Sequence, residues 1–334
     1  MKRERIVYLD VLRSLACLMI IIMHSPMPNM GGNSYILSSI SMLTAPGIGL
    51  FFMVSGALLL PIRMSHKDFL KKRLSKILFP TLFWTIFYLL VKIHNGQLSW
   101  DALPLKVLSI PFSTQGNSIL WFMYTLTGLY LLAPIITPWL EKASKHELEF
   151  VLGVWGITLF FPMLNDILNI NESRTGMLYY FTGYAGYFLL GYYLKKYANH
   201  LSIVIMSLLF LIPIAIATFL KSFHIDIDFY KWFWYLCIFT AMMAAGWFLV
   251  AKKYTNYLYF PLLEKFSNCC FGIYLVHIFI MRHILWRMDF IQSYGCIAQI
   301  VMTVVLTTMI SYAIVWLISK LPFAEYIIGY KERK

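Results

Sequence analysis

Long apolar runs separated by short polar stretches dominate the 334-residue chain. Ten of these runs approach the roughly 20 residues that a helix needs to cross a hydrocarbon layer. They fall at 7–26, 38–61, 76–94, 118–140, 149–168, 178–195, 201–221, 231–251, 267–286 and 295–319. Backbone groups in lipid must be satisfied within the segment, so long apolar runs are expected to be helices. A membrane β-barrel would show short alternating segments instead. The pattern predicts an all-α fold: a polytopic integral membrane protein, a bundle of about ten transmembrane helices forming a single domain over residues 1–334.

The polar interruptions set an orientation. With the N-terminus placed in the cytoplasm and the spans alternating, the inner segments hold twenty of the 28 Lys and Arg residues. They include Lys2, Arg3, Arg5, Arg63, Lys71, Lys72, Arg73, Lys76, Lys195, Lys252, Arg333 and Lys334. The outer segments hold seven, Arg174, Lys221, Arg282 and Arg287 among them. This bias predicts a multi-pass protein of the inner (cytoplasmic) membrane with both termini in the cytoplasm, which requires an even number of spans. The longest outer loop, 95–117, carries Gly96, Pro104, Pro111 and Gly116 and is expected to lie over the outer mouth of the bundle.

Composition agrees with a lipid environment. Apolar residues make up 60% of the chain and charged residues 13%, against about half and a quarter in soluble domains. The 22 Tyr and 10 Trp suit a chain that crosses many interfaces. The net charge of +13 does not indicate nucleic acid, because the basic residues are dispersed where cytoplasmic anchors belong. Cys17, Cys237, Cys269, Cys270 and Cys296 have no zinc-site spacing and are read as buried free thiols. The apolar run from Leu15 follows a basic start, as in a signal peptide, but Asp10 and Arg13 intrude and no small-x-small cleavage site follows. A retained first span is expected.

That first span carries the main candidate chemistry. Arg13 and His24 are eleven residues apart, which is three turns plus about 20°, so both face one way, about 16 Å apart along the axis. Asp10 lies one turn before Arg13 on the same face. Ionisable groups inside a span are costly and usually face a bundle interior or a watery cavity. A guanidinium there can hold a phosphate or a developing oxyanion, and an imidazole can deprotonate a hydroxyl. The competing reading is an interfacial Asp10–Arg13 ion pair with His24 as an interface residue.

Arg13-x10-His24 resembles the signature of the acyltransferase 3 family of integral membrane acyltransferases. Further landmarks follow in order. Phe51-Phe52-Met53-Val54-Ser55-Gly56 is similar to the family's FFxxSG element, and Arg73-Leu74-Ser75-Lys76 to its RxxR motif. Trp121-Phe122 with Tyr130 and Pro134 resembles its WF…Y…P segment, and Phe271-Gly272-Ile273-Tyr274-Leu275-Val276-His277 its late fgiYLxH element. The resemblance covers essentially the whole chain. It departs at Lys76, which keeps the charge of the second Arg but loses its fork.

The resemblance implies O-acylation of a carbohydrate by acyl-CoA, most like the stand-alone surface-polysaccharide O-acetyltransferase branch. The expected partners are cytosolic acetyl-CoA (acyl-CoA) as donor, a carbohydrate acceptor of lipid-linked or surface type, and membrane lipids. No metal is expected. His24 is the expected catalytic base or transient acyl carrier, with Arg13 at the CoA phosphates or the thioester oxygen. Arg73 and Lys76 are expected to hold the donor, although plain positive-inside anchoring also explains them. Tyr274 and His277 share a face and are expected to bind the acceptor or complete a proton path; interhelical hydrogen bonding is the alternative. Trp121 is expected to stack on a sugar or on adenine, or to anchor at the interface. Asp10 is expected to support Arg13. Ser55, Gly56, Gly47 and Gly49 are read as close-packing residues. The rival function is a transporter or flippase for a lipid-linked saccharide, since intramembrane Arg, Asp and His also mark proton-coupled transport.

Overall fold

Helix formation satisfies every backbone group of an apolar run internally, and the computed structural model is helical without a strand among its described residues. Those residues are 5–27, 34–114, 120–169, 176–198, 202–225 and 228–332. Lys2, Arg3, Gly116, Arg174, His200, Arg333 and Lys334 lie outside them. The helices are α1 Val7–His24, α2 Ser34–Thr44, α3 Pro46–Leu59, α4 His66–His94, α5 Leu103–Leu108, α6 Trp121–Lys142, α7 Lys145–Thr158 and α8 Phe161–Ile167. They continue with α9 Ala185–Tyr197, α10 Ile203–Ser222, α11 Phe229–Phe233, α12 Ile238–Tyr254, α13 Pro261–Phe279, α14 Asp289–Gln292, α15 Cys296–Ser319 and α16 Ala324–Ile328.

Among the described residues, nine helical stretches are long and apolar enough to cross a membrane. The chain is an all-α, multi-pass membrane protein. The expected span at 178–195 is the one not in this set: it folds as a single 3₁₀ turn, Tyr179–Phe181, followed by α9 of 13 residues. Other expected spans are interrupted. The second divides at Pro46, which sits in the first turn of α3, a position where its missing N–H costs no hydrogen bond. The eighth divides between α11 and α12. The third begins ten residues earlier than its apolar run, because Ser65 caps α4 by accepting from the Asp68 N–H at 3.1 Å. Arg73 and Lys76 therefore stand on a helix, not on a loop before one. The described part of loop 95–117 is tied to α6 by the Tyr124 hydroxyl, which donates to the Ile110 carbonyl at 2.7 Å, and contributes no lining residue to the cavities described below.

The first helix is the axis of the bundle. Leu9, Leu12, Ala16, Ile20 and Ile21 are all buried, and α1 packs against α3, α12 and α13. The outward helices keep their apolar side chains exposed, as in Ile203, Val204 and Leu211 of α10 and Ile297 and Met309 of α15; with no core to meet them, these faces are met by lipid. Between α3 and α9 the contact is backbone on backbone. A Cβ on Gly56 would collide with the Phe188 carbonyl, and one on Gly191 with the Met53 carbonyl. Small residues allow such approach where lipid supplies no hydrophobic drive to association. None of the five cysteines forms a disulfide, and Cys296 alone among them is only partly buried. Lys252 has a structural role: its ammonium donates to the carbonyls of Leu194, Lys195 and Ala198 at 2.8–2.9 Å and so closes the C-terminus of α9.

Candidate active site

Helices α1 and α13 lie side by side and run the same way. At one end the Ser267 hydroxyl donates to Asp10 Oδ1 at 2.7 Å. Midway, the Cys17 thiol faces the Cys270 carbonyl at 3.8 Å. At the other end the rings of His24 and His277 approach to 5.6 Å between centroids. The parallel register thus carries Asp10 and Arg13 at one end and two imidazoles at the other.

Asp10 is buried and multiply paired. Its Oδ2 accepts from Arg5 Nε at 2.6 Å, while Arg13 Nη1 is 3.8 Å from its Oδ1. Arg13 instead donates to Ser267 Oγ at 3.2 Å. The support expected of Asp10 therefore reaches Arg13 chiefly through Ser267, with Arg5 as the tighter ionic partner. The remainder of the Arg13 guanidinium opens on two cavities.

The first, of about 280 Å³, has Arg13, Ser55, Arg73, Lys76, Tyr130 and Tyr274 in its wall. Arg73 Nε is buried there with no hydrogen-bond partner among the described residues. Lys76 is 3.4 Å from Glu325 of α16, and both side chains are more than a third exposed, so that pair holds the lysine only weakly. Tyr330, just beyond the spans, closes the rim, and burial raises its phenol above the ordinary range. It remains a protonated donor at neutral pH. The second cavity, of about 500 Å³, shares Arg13 and adds Arg5, Arg63 and Lys195. Six cations thus border the two cavities at this end.

At the His24 end an aromatic cavity of about 340 Å³ is formed by His24, Trp121, Tyr184, Tyr235, Tyr274 and Arg282. Trp121 stacks on Tyr235 with centroids 5.6 Å apart and packs on Tyr184 at 5.1 Å. His24 and Arg282 also border a wider cavity of about 630 Å³ beyond it. Tyr274 belongs to the wall on both sides: it lines the Arg13 cavity and the His24 cavity, with Phe122 packed on its ring at 5.3 Å.

His277 lies behind this wall. It is fully buried and borders none of these cavities. Its Nδ1 is 2.6 Å from the Tyr274 carbonyl, which can only accept, so Nδ1 carries the proton and Nε2 of the neutral ring keeps a lone pair. That Nε2 is buried without a hydrogen-bond partner among the described residues. His277 is thereby fixed with its ring 5.6 Å from that of His24, while Tyr274 touches the cavity directly. Ser55 lies in the Arg13 cavity, whereas Gly56 packs on α9, so one motif divides between lining and packing.

Sequence reasoning on single helices missed Arg5, Arg63, Lys195, Tyr184, Tyr235 and Arg282, which join the site from other elements. A basic residue at each span end was the one available signal for Arg63 and Lys195. Among the described residues no three His, Cys, Asp or Glu side chains form a metal-holding group. In comparison with known proteins, residues 6–319 match a family model described as an acyltransferase domain. No curated protein and no solved structure matches the chain.

Proposed function

The chain belongs to the acyltransferase 3 family, and from that premise we propose that it moves an acyl group, acetyl in the first instance, from cytosolic acyl-CoA to a hydroxyl of a carbohydrate. The observation that carries the reading is the position of Tyr274, which borders both the cationic cavity at Arg13 and the aromatic cavity at His24. A phosphate-bearing donor suits the first, and a sugar suits the second, since aromatic faces and a few polar groups are what sugar rings pack on.

In this reading the donor phosphates meet Arg13, Arg73 and Lys76, and the thioester reaches inward past Tyr274 and Phe122. The acceptor hydroxyl oxygen attacks the thioester carbonyl carbon while His24 takes its proton. The carbon–sulfur bond then breaks, and the departing CoA thiolate recovers the proton from His24. Arg13 and His24, about 16 Å apart along α1, divide the work between holding the donor and activating the acceptor. Tyr274 and Trp121 bind the sugar, and His277 acts through His24. The Arg13 end faces the cytoplasm, both termini lie on that side with the short α9 as the tenth crossing, and the protein resides in the inner membrane as one domain; the return of Tyr330 to the Arg13 cavity and the excess of basic residues on those segments support this.

The test is transfer of labelled acetyl from acetyl-CoA by the purified protein in lipid nanodiscs, with His24→Ala and Arg13→Ala beside the wild type. Wild-type release of CoA that disappears in His24→Ala supports the reading, and label retained on the protein would indicate an acyl-enzyme. Absence of both CoA release and acetyl-CoA binding would sink it and return the chain to saccharide transport.

A further inference from the structure

The basic residue Arg282 sits where a catalytic cavity has no evident need of it. It follows α13 in a π turn, Ile280–Ile284, and together with His24 borders both the aromatic cavity and the wider one beyond. In regular α-helix a residue five positions after His277 would be turned about 140° from it. The i→i+5 bonding of a π turn returns part of that rotation, which brings Arg282 round towards the two histidines. Such single π turns cost regular hydrogen bonding and recur at functional sites.

The side chain is also held. Its guanidinium carbon lies 5.7 Å over the ring of Trp286, one turn on, a cation–π contact that by itself uses none of the five guanidinium N–H donors. Among the described residues no carboxylate comes within ion-pair distance of it. An arginine over an indole, without a carboxylate partner among the described residues, on a wall that includes a stacked Trp121–Tyr235 pair, is arranged for a ligand that is part ring and part oxyanion.

The geometry points to an acceptor subsite for an acidic saccharide: Arg282 binds a carboxylate or phosphate carried by the acceptor, and Trp121 and Tyr235 pack on its sugar ring, presenting a hydroxyl to His24. This rests on reading the His24 cavity as the acceptor side. The subsite selects charge. A neutral sugar leaves the guanidinium unpaired, whereas a uronate or sugar phosphate engages it in two parallel hydrogen bonds.

Binding separates this inference from the transfer reaction. Isothermal titration calorimetry on the full chain in nanodiscs of neutral lipid would compare methyl glucuronide, glucose 1-phosphate and neutral methyl glucoside. Both anionic sugars should bind about tenfold or more tightly than the neutral one, and Arg282→Gln should abolish that preference without changing acetyl-CoA affinity. Arg282→Lys should keep part of it, more for the phosphate than for the planar carboxylate. Preference for only one of the two anions would identify the oxyanion. Equal binding of charged and neutral sugars by the wild type, or a preference that survives Arg282→Gln, would overturn the proposal. Because no turnover is needed, an anion preference that depends on Arg282 in a protein without acetyl-CoA activity would count against the transfer reaction alone. Adding anionic lipid to the nanodiscs gives the remaining outcome: if headgroups displace the sugars competitively, Arg282 is a lipid-binding residue and the saccharide subsite is wrong.

Discussion

His277 donates from Nδ1 to the carbonyl of Tyr274 at 2.6 Å, and this one bond fixes a fully buried imidazole with its other nitrogen bare, beside the ring of His24. The bond lies within one turn of α13, so any shift of Tyr274 is felt by the imidazole. The residue that lines the two cavities and the residue that backs the candidate base are mechanically one unit.

Replacing the two histidines should therefore give different kinetics. His24→Ala should lower kcat by about 10²–10⁴-fold, the usual contribution of a positioned general base. His277→Ala should lower kcat less, by about 10²-fold as misplacement does, and leave KM for acetyl-CoA unchanged. His277→Gln, whose amide oxygen reaches towards the Nε2 position, should recover part of the loss. Steady-state CoA release with a thiol reagent measures both, and equal defects in the two alanine variants would refute the division of roles.

Arg73 and Lys76 should also separate. Arg73 is half-buried with an unpartnered Nε in the Arg13 cavity, so Arg73→Ala should raise KM for acetyl-CoA by about 10–100-fold, the value of a hydrogen bond to a charged group. Lys76 shares its charge with Glu325 in an exposed setting, and Lys76→Ala should change KM by less than about fivefold. A larger effect for Lys76 than for Arg73 in the same assay would reverse their ranking.

Gly56→Ala should damage assembly instead of chemistry. The new methyl meets the backbone carbonyl of Phe188, which cannot swing aside as a side chain would. Overpacking of this kind costs about 1–3 kcal/mol. Thermal unfolding in detergent should show a lowered midpoint, and an unchanged midpoint would mean that α3 and α9 separate without penalty.

Lys252→Met keeps the stem length and removes three hydrogen bonds to the end of α9. Three carbonyls lose a charged donor, and a loss of about 1–3 kcal/mol is expected. The same unfolding assay reads it, and hydrogen exchange at the end of α9 should rise with it.

The bundle was legible because apolar length is a direct consequence of bilayer thickness. What escaped were boundaries set by local chemistry. Ser65 starts α4 through a stretch so basic that hydropathy alone reads it as loop, and Pro46 divides the second run. In the site, Arg13 and His24 were legible because 100° per residue places them on one face of one helix. Arg5, Arg63, Lys195 and Arg282 were not, because their association with that face depends on how helices distant in sequence pack. Arg282 had a further obstacle: its direction depends on a π turn, to which regular helical spacing is blind. Lys252 carries a role that spacing does not reveal, since a lysine counted among the basic residues of a polar segment also caps a helix.

Tyr274 and its neighbour Phe122 stand between two cavities of about 280 and 340 Å³, one at the Arg13 end of α1 and one at the His24 end. A catalyst working through such a partition has an electrical duty as well as a chemical one. If both spaces joined whenever an acyl chain passed, protons and small ions would follow it and dissipate any gradient across the membrane. Under the proposed transfer the aromatic pair has to yield to a short acyl chain while still insulating against ions, and the size of group that can slip past it without current then sets an upper limit on what can be carried.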